Sequence, residues 1–246
     1  MTYRQLDKAN ILRTLERLKL RIAERFPGSG LSKVADELIL IGNEISETLE
    51  YLKKPNYPIR IFVGLIIIVM LVFTGGAIRS MSFHVGSRAD AIIPLFVNGI
   101  QQVVFLGVAV LFLLTTETRI KRKRALKTIH ELRSVAHVVD MHQLTKDPEQ
   151  ISSPAPDTAS SPERTMSPAE LGRYLDYCSE LLSVTSKLAA LLVQNFTDEV
   201  ILGAVNEIET LTTGLSSKIW QKIRLIEPTD RYTGRRTEET KASKIF

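Results

Sequence analysis

The spacing of apolar residues changes several times along this chain, and each change marks an element. From Leu6 to Phe26 apolar side chains return every three to four positions, at Leu12, Leu15, Ile22 and Phe26, which predicts an amphipathic helix. Pro27, Gly28, Ser29 and Gly30 break it. A second helix is predicted from Ser32, as its cap, to about Lys53. Its stripe of Val34, Leu38, Ile41, Ile45, Leu49 and Leu52 is narrow, like a helix–helix seam. Pro55 and Pro58 close this part of the chain.

The periodicity then disappears. Ile61 to Ile78 and Ala91 to Thr116 are apolar and uncharged, with only Arg79 to Asp90 between them. About 20 apolar residues in a helix cross a ~30 Å hydrocarbon core. In lipid each backbone N–H and C=O must be satisfied within its own segment, which requires helix. The pattern therefore predicts a two-span transmembrane hairpin. Gly64, Gly75, Gly76, Gly99 and Gly107 read as close-packing positions, and Pro94 falls near a helix start, where its missing N–H is tolerated.

Beyond the second run the 3–4 spacing resumes. Leu126, Ile129, Leu132, Val135, Ala136 and Val139 give a basic helix an apolar face, continuous with the preceding span. Residues 147–167 are rich in Pro, Ser and acidic residues and read as a flexible linker. Ser153–Pro154, Ser161–Pro162 and Ser167–Pro168 have the form of proline-directed phosphosites, but turn and cap chemistry is the preferred reading. Ser167, Pro168 and Glu170 spell a helix start, with N-cap Ser, N1 Pro and N3 Glu. That helix runs to about Gln194 on a near-heptad stripe of Leu171, Leu175, Cys178, Leu182, Thr185, Ala189 and Leu192. Asn195 to Thr197 connect it to a last helix, started by Thr197 and carrying Val205, Ile208, Leu215, Ile219 and Ile223 as far as Ile226. Pro228 is expected to end it, leaving a disordered tail. No stretch alternates with the period of a strand.

The fold class expected is thus an all-α integral membrane protein, with a two-span hairpin and a cytoplasmic helical bundle built from both flanks. Its parts are an N-terminal helical hairpin (1–58), the transmembrane hairpin (59–118), a basic helix (119–146), a linker (147–167), an αα-hairpin (168–227) and a tail (228–246).

Charge adds orientation. The net charge of +5 is unevenly placed. Lys53, Lys54 and Arg60 precede the first run, and Arg119, Lys121, Arg122, Lys123, Arg124 and Lys127 follow the second. The loop holds only Arg79 and Arg88 beside Asp90. The positive-inside rule puts both termini in the cytoplasm of a multi-pass cell-membrane protein, the bacterial inner membrane being the default. The six cations after the second run are candidate partners of anionic headgroups. Topology already explains them, so no nucleic-acid partner is inferred. The N-terminal 25 residues hold no secretory apolar core, so no cleavable signal is expected. Cys178 is the one cysteine, which rules out an intrachain disulfide, and its apolar neighbours suggest a buried structural thiol.

Candidate chemistry is sparse. His130, His137 and His142 cluster with Glu131 and Asp140. His130 and His137 stand ~10 Å apart along a helix axis, too far to share a zinc ion with bonds of ~2.0–2.1 Å. His137 and Asp140 can converge, and His142 joins them only if the helix ends near Met141; polar contacts at a bundle interface are the preferred reading. Asn98, Gln101 and Gln102, at i, i+3 and i+4, share one face of the second span; interhelical hydrogen bonding is the preferred reading and a pore lining the alternative. Neither span contains a charge, which argues against a proton relay. Trp220 is expected in the core. There is no GxGxxG, GxxxxGK[ST], CxxC, HExxH or GxSxG, so no cofactor and no enzymatic activity are expected. The function read from this is a non-enzymatic, homo-oligomeric membrane scaffold or adaptor that offers helices to a protein partner. The alternative is an oligomeric pore lined by the amide face.

Overall fold

The computed structural model describes residues 5–54, 57–84, 92–146, 148, 156, 158–161, 165–194 and 198–242. Among them every regular element is a helix: α1 (Lys8–Arg25), α2 (Gly30–Lys53), α3 (Tyr57–His84), α4 (Ile92–Leu144), α5 (Pro168–Gln194) and α6 (Glu199–Ala242). The chain divides into two compact units, residues 54–124 and the remainder.

The larger unit is a five-helix bundle of α1, α2, the end of α4 from Ala125, α5 and α6. Thirteen of the 27 residues of α5 are buried, and α1, α2 and α6 all pack against it. Leu181, Leu182 and Leu188 are wholly inaccessible. The helices alternate in direction, and pairwise contacts fix the register. Arg21 of α1 meets Glu180 of α5 at 2.6 Å. Phe26, at the end of α1, packs edge-on against Tyr174 and Tyr177 near the start of α5. Lys19 of α1 pairs with Asp36 of α2 at 2.6 Å, and Arg133 of α4 pairs with Glu207 of α6.

Local chemistry sets the helix ends. Asp7 caps α1, its Oδ1 accepting from the Ala9 and Asn10 amides at 2.9 and 3.4 Å. Gly28 takes φ +68°, a left-handed value that glycine adopts without strain, to turn α1 into α2. The cap of α2 is Ser29 rather than Ser32: its Oγ accepts from the Ser32 amide at 3.2 Å. At the start of α5 the expected capping box is present. The Glu170 amide donates to Ser167 Oγ at 3.3 Å and the Ser167 amide to Glu170 Oε2 at 2.8 Å. Asp198, not Thr197, caps α6 by accepting from the Val200 and Ile201 amides at 3.1 and 3.3 Å. The carboxylate is the stronger acceptor, and Thr197 lies outside the described residues.

The smaller unit holds α3 and α4 up to Arg124. Arg60 Nε meets Glu117 Oε2 at 2.9 Å, which brings the first turn of α3 beside α4. One helical stretch, Gly99–Leu144, is long and apolar enough to cross a membrane, with none of its most apolar window buried. The shorter apolar stretch, Arg60–Phe73, lies in α3.

Two boundaries differ from expectation. Helix α3 runs to His84, past the expected start of the loop at Arg79. Nothing in Arg79–His84 breaks a helix, for it contains neither Gly nor Pro. Helix α6 continues through Pro228 to Ala242, where a break and a tail were expected. A proline inside a helix removes one ladder hydrogen bond and can kink the helix without ending it. As expected, the second apolar run and the basic helix are continuous, forming one helix of 53 residues. The linker positions 147, 149–155, 157 and 162–164, and the connection 195–197, lie outside the described residues.

Candidate functional site

Three polar features and one buried thiol carry what chemistry the described residues offer. The first is the Arg60–Glu117–Lys121 network. Glu117 Oε1 meets Lys121 Nζ at 2.9 Å, one turn along α4, while its Oε2 meets Arg60. Lys121 is only 8% exposed. A carboxylate shared by two cations is the arrangement a low-dielectric site tolerates, since a lone buried charge is costly. Lys121, one of the six headgroup candidates, thus has its amine against Glu117. It sits on the inner face of α4, where its amine is taken up by Glu117.

The rest of that basic run stays outward. Arg119, Lys123, Arg124 and Lys127 are exposed and Arg122 is half-buried. Arg119 lies 5.6 Å from the Phe112 ring centroid, its charge over an aromatic face. Lys127 pairs with Glu131 at 3.4 Å along the helix, a solvated contact.

The second feature is the histidine segment. Helix α4 does not end near Met141 but runs to Leu144, which decides its geometry. His137 stays exposed. Asp140 Oδ1 accepts from Gln143 Nε2 at 2.6 Å. His142 turns the other way, and its ring packs on Gly30 at the start of α2. His137, Asp140 and His142 do not converge, and among the described residues no group of three or more His, Cys, Asp or Glu side chains is arranged to hold a metal. The continuous helix is the cause, because positions 137 and 142 lie five residues apart and face away from each other.

The third feature is the amide face. Gln101 is exposed on α4. The side chains of Asn98 and Gln102 lie outside the described residues. Among the described residues, a Cβ added at Gly64, Gly75, Gly76, Gly99 or Gly107 would meet nothing within 4 Å.

Cys178 is buried in the core beside Tyr174. Burial pushes its thiol up to about 12, against the opposing pull of the Lys222 and Lys146 cations. Such a thiol is a packing group, not a nucleophile, at neutral pH. Burial also raises the Tyr174 phenol, whose ring lies 5.6 Å from Lys146 Nζ. Lys222 closes this end of the bundle, donating to the Gln143 and Lys146 carbonyls at 2.9 and 3.2 Å and so capping the C-terminus of α4. Asp176 is raised by burial, and Glu170 is lowered by the hydrogen bonds it accepts from Ser167.

The sequence reading missed the outer surface. Trp220 was expected in the core but is 56% exposed. It lies one residue past Ile219, on the flank of the α6 stripe. Met141, 68% exposed, stands with Val138 and Leu144 as an outward apolar row at i, i+3 and i+6 on α4. That row was legible as a second 3-spaced set beside the core stripe. Compared with protein families, curated proteins and solved structures, the chain matches none.

Proposed function

We propose that this chain is a membrane-embedded, homo-oligomeric scaffold: a two-span hairpin that carries a five-helix bundle on the cytoplasmic side for a protein partner. The observation that carries the reading is the outward display of large apolar side chains on both units. Ile61, Phe62, Leu65, Phe73, Val103, Phe105 and Phe112 are exposed along α3 and α4. A contiguous apolar surface of this kind is rare on a soluble monomer and suits lipid.

Two spans rather than one are supported by the Arg60–Glu117 pair. From Arg60 to the end of α3 at His84, and from Ile92 to Glu117, the helices rise about 36 and 38 Å. Each helix is longer than the ~30 Å of hydrocarbon, although in α3 that length takes in Arg79 beyond the apolar stretch. The ion-paired base and the outward arginines and lysines then belong at one interface, on the positive side.

Self-association is supported by Gln101 and the open glycines, which offer a second copy a hydrogen-bonding group and close backbone approach. On the bundle, Val138, Met141 and Leu144 offer an apolar row to another chain. The test is subunit number in nanodiscs by native mass spectrometry, for the wild type and for Gln101→Leu and Met141→Glu. A wild-type oligomer that either variant dissociates supports the scaffold. A wild-type monomer removes it. The pore reading draws on the same Gln101 exposure and requires a closed ring of chains that conducts ions, with selectivity altered by Gln101→Glu.

A further inference from the structure

At one end of the bundle α1, α2 and α5 leave an open groove of about 750 Å³, a size typical of small-ligand sites. Its floor is apolar, made by Ile11, Leu49 and Leu191. Its rim carries three lysines, Lys8, Lys53 and Lys187, against two carboxylates, Asp7 and Glu50. Asp7 is already committed: besides the Ala9 and Asn10 amides it accepts from Asn10 Nδ2 at 2.8 Å. Lys187 is steadied by Ser183, with Nζ 2.6 Å from Oγ. The wall is pinned across the chain. The Leu6 amide donates to Gln194 Oε1 at 3.1 Å, and Gln194 Nε2 donates to the Leu6 carbonyl at 3.4 Å.

We propose that this groove binds one anionic phospholipid, its phosphate on the Lys8, Lys53 and Lys187 amines and its acyl carbons on the Ile11, Leu49 and Leu191 floor. An apolar floor under a cationic rim complements an anionic amphiphile, and lysine holds phosphate as a point charge. Chain connectivity favours a lipid over other amphiphiles. Lys53 is the last residue of α2, and Tyr57 begins α3 four positions later, so the first span follows the groove's rim closely in sequence. The proposal rests on the membrane reading given above. It is distinct from general headgroup attraction by the Arg119–Lys127 run, because it names a stoichiometric site on different helices.

The test uses the full chain in nanodiscs of phosphatidylcholine with a minor fraction of phosphatidylglycerol. Lipid retained after release is counted by native mass spectrometry. The wild type is expected to keep one phosphatidylglycerol per chain, well above its share of the bilayer. The triple variant Lys8→Gln, Lys53→Gln, Lys187→Gln removes rim charges only, and Lys53 and Lys187 are exposed, so the fold is spared. Each lysine near anionic lipid accounts for about a fivefold effect, so the triple variant is expected to lower retention at least tenfold. Arg119→Gln with Arg124→Gln is expected to leave the retained lipid in place. Equal retention in the triple variant and the wild type, or equal retention of phosphatidylcholine, overturns the site. So does a retained mass that is peptide rather than lipid. Alkaline carbonate separates the two levels. A chain that carbonate strips from vesicles overturns the membrane reading and the groove together. A chain that stays but retains no lipid overturns the groove alone.

Discussion

Gly30 sits so close to His142 that a Cβ at position 30 would lie 2.2 Å from the imidazole Cε1. This contact joins the start of α2 to the last turn of α4, two helix ends that are over a hundred residues apart in sequence. Gly30→Ala is expected to destabilise the bundle by about 1 kcal/mol, at the low end for overpacking because the ring ends a side chain that can shift. His142→Ala in the same chain should recover most of that loss. Thermal unfolding of the three variants checks it; a Gly30→Ala protein as stable as the wild type would show that the ring does not fill that space.

The same contact shows what could and could not be read from the sequence. The 3–4 stripes of α1, α2, α5 and the end of α4 were legible because a bundle core repeats the period of the helix itself. Buried Leu15, Leu38, Leu132 and Leu182 all fall on those stripes. The caps were legible only where the pattern is unambiguous, as at Ser167 and Glu170, and not where two candidates compete, as at Ser29 and Ser32. The end of α4 was not legible, since nothing between Met141 and Leu144 marks a stop, and the histidine geometry depended on it. Trp220 was misplaced because a flanking position of an apolar stripe looks like a core position until the neighbouring helix is known.

Glu117 is shared by Arg60 and Lys121, and the two cations are not equivalent. The Lys121 side chain is 10% exposed and that of Arg60 61%. Glu117→Gln is expected to cost about 1–3 kcal/mol, since it weakens the pairing of a buried charge. Arg60→Gln should cost less than about 1 kcal/mol, as an exposed pair does. Denaturant unfolding in detergent micelles compares them, and equal losses would contradict the asymmetry.

Leu182 lies at the centre of α5 with no exposed surface. Leu182→Ala is expected to destabilise the bundle by about 2–5 kcal/mol through lost burial and the cavity left behind. Leu20→Ala, at a side chain 57% exposed on α1, should change little. Similar melting temperatures for the two variants would count against α5 as the central helix.

The raised thiol of Cys178 gives the fold an alkaline limit. In the unfolded chain the thiol loses its proton near its ordinary value of 9.0, whereas in the fold it keeps the proton until about 12. Between those values the unfolded state binds fewer protons, so stability is intact below the window and falls as pH rises through it. The raised Tyr174 phenol acts in the same direction. Cys178→Ala is expected to flatten part of this decline, and Tyr174→Phe another part. Unfolding midpoints measured from neutral pH upwards check it; a slope unchanged by either variant would contradict the assignment.

The most direct test of the two-span topology is labelling of single cysteines by a membrane-impermeant maleimide, before and after permeabilisation of the cell. Cys178 is the one native cysteine, so a Cys178→Ala background gives a blank. Lys33→Cys, Ser87→Cys and Lys127→Cys then report the N-terminal flank, the segment between the spans and the C-terminal flank. A two-span hairpin predicts that position 87 is labelled on intact cells, and that positions 33 and 127 are labelled only after permeabilisation. Labelling of 33 and 127 on opposite sides would leave a single span, and labelling of all three on one side would leave none.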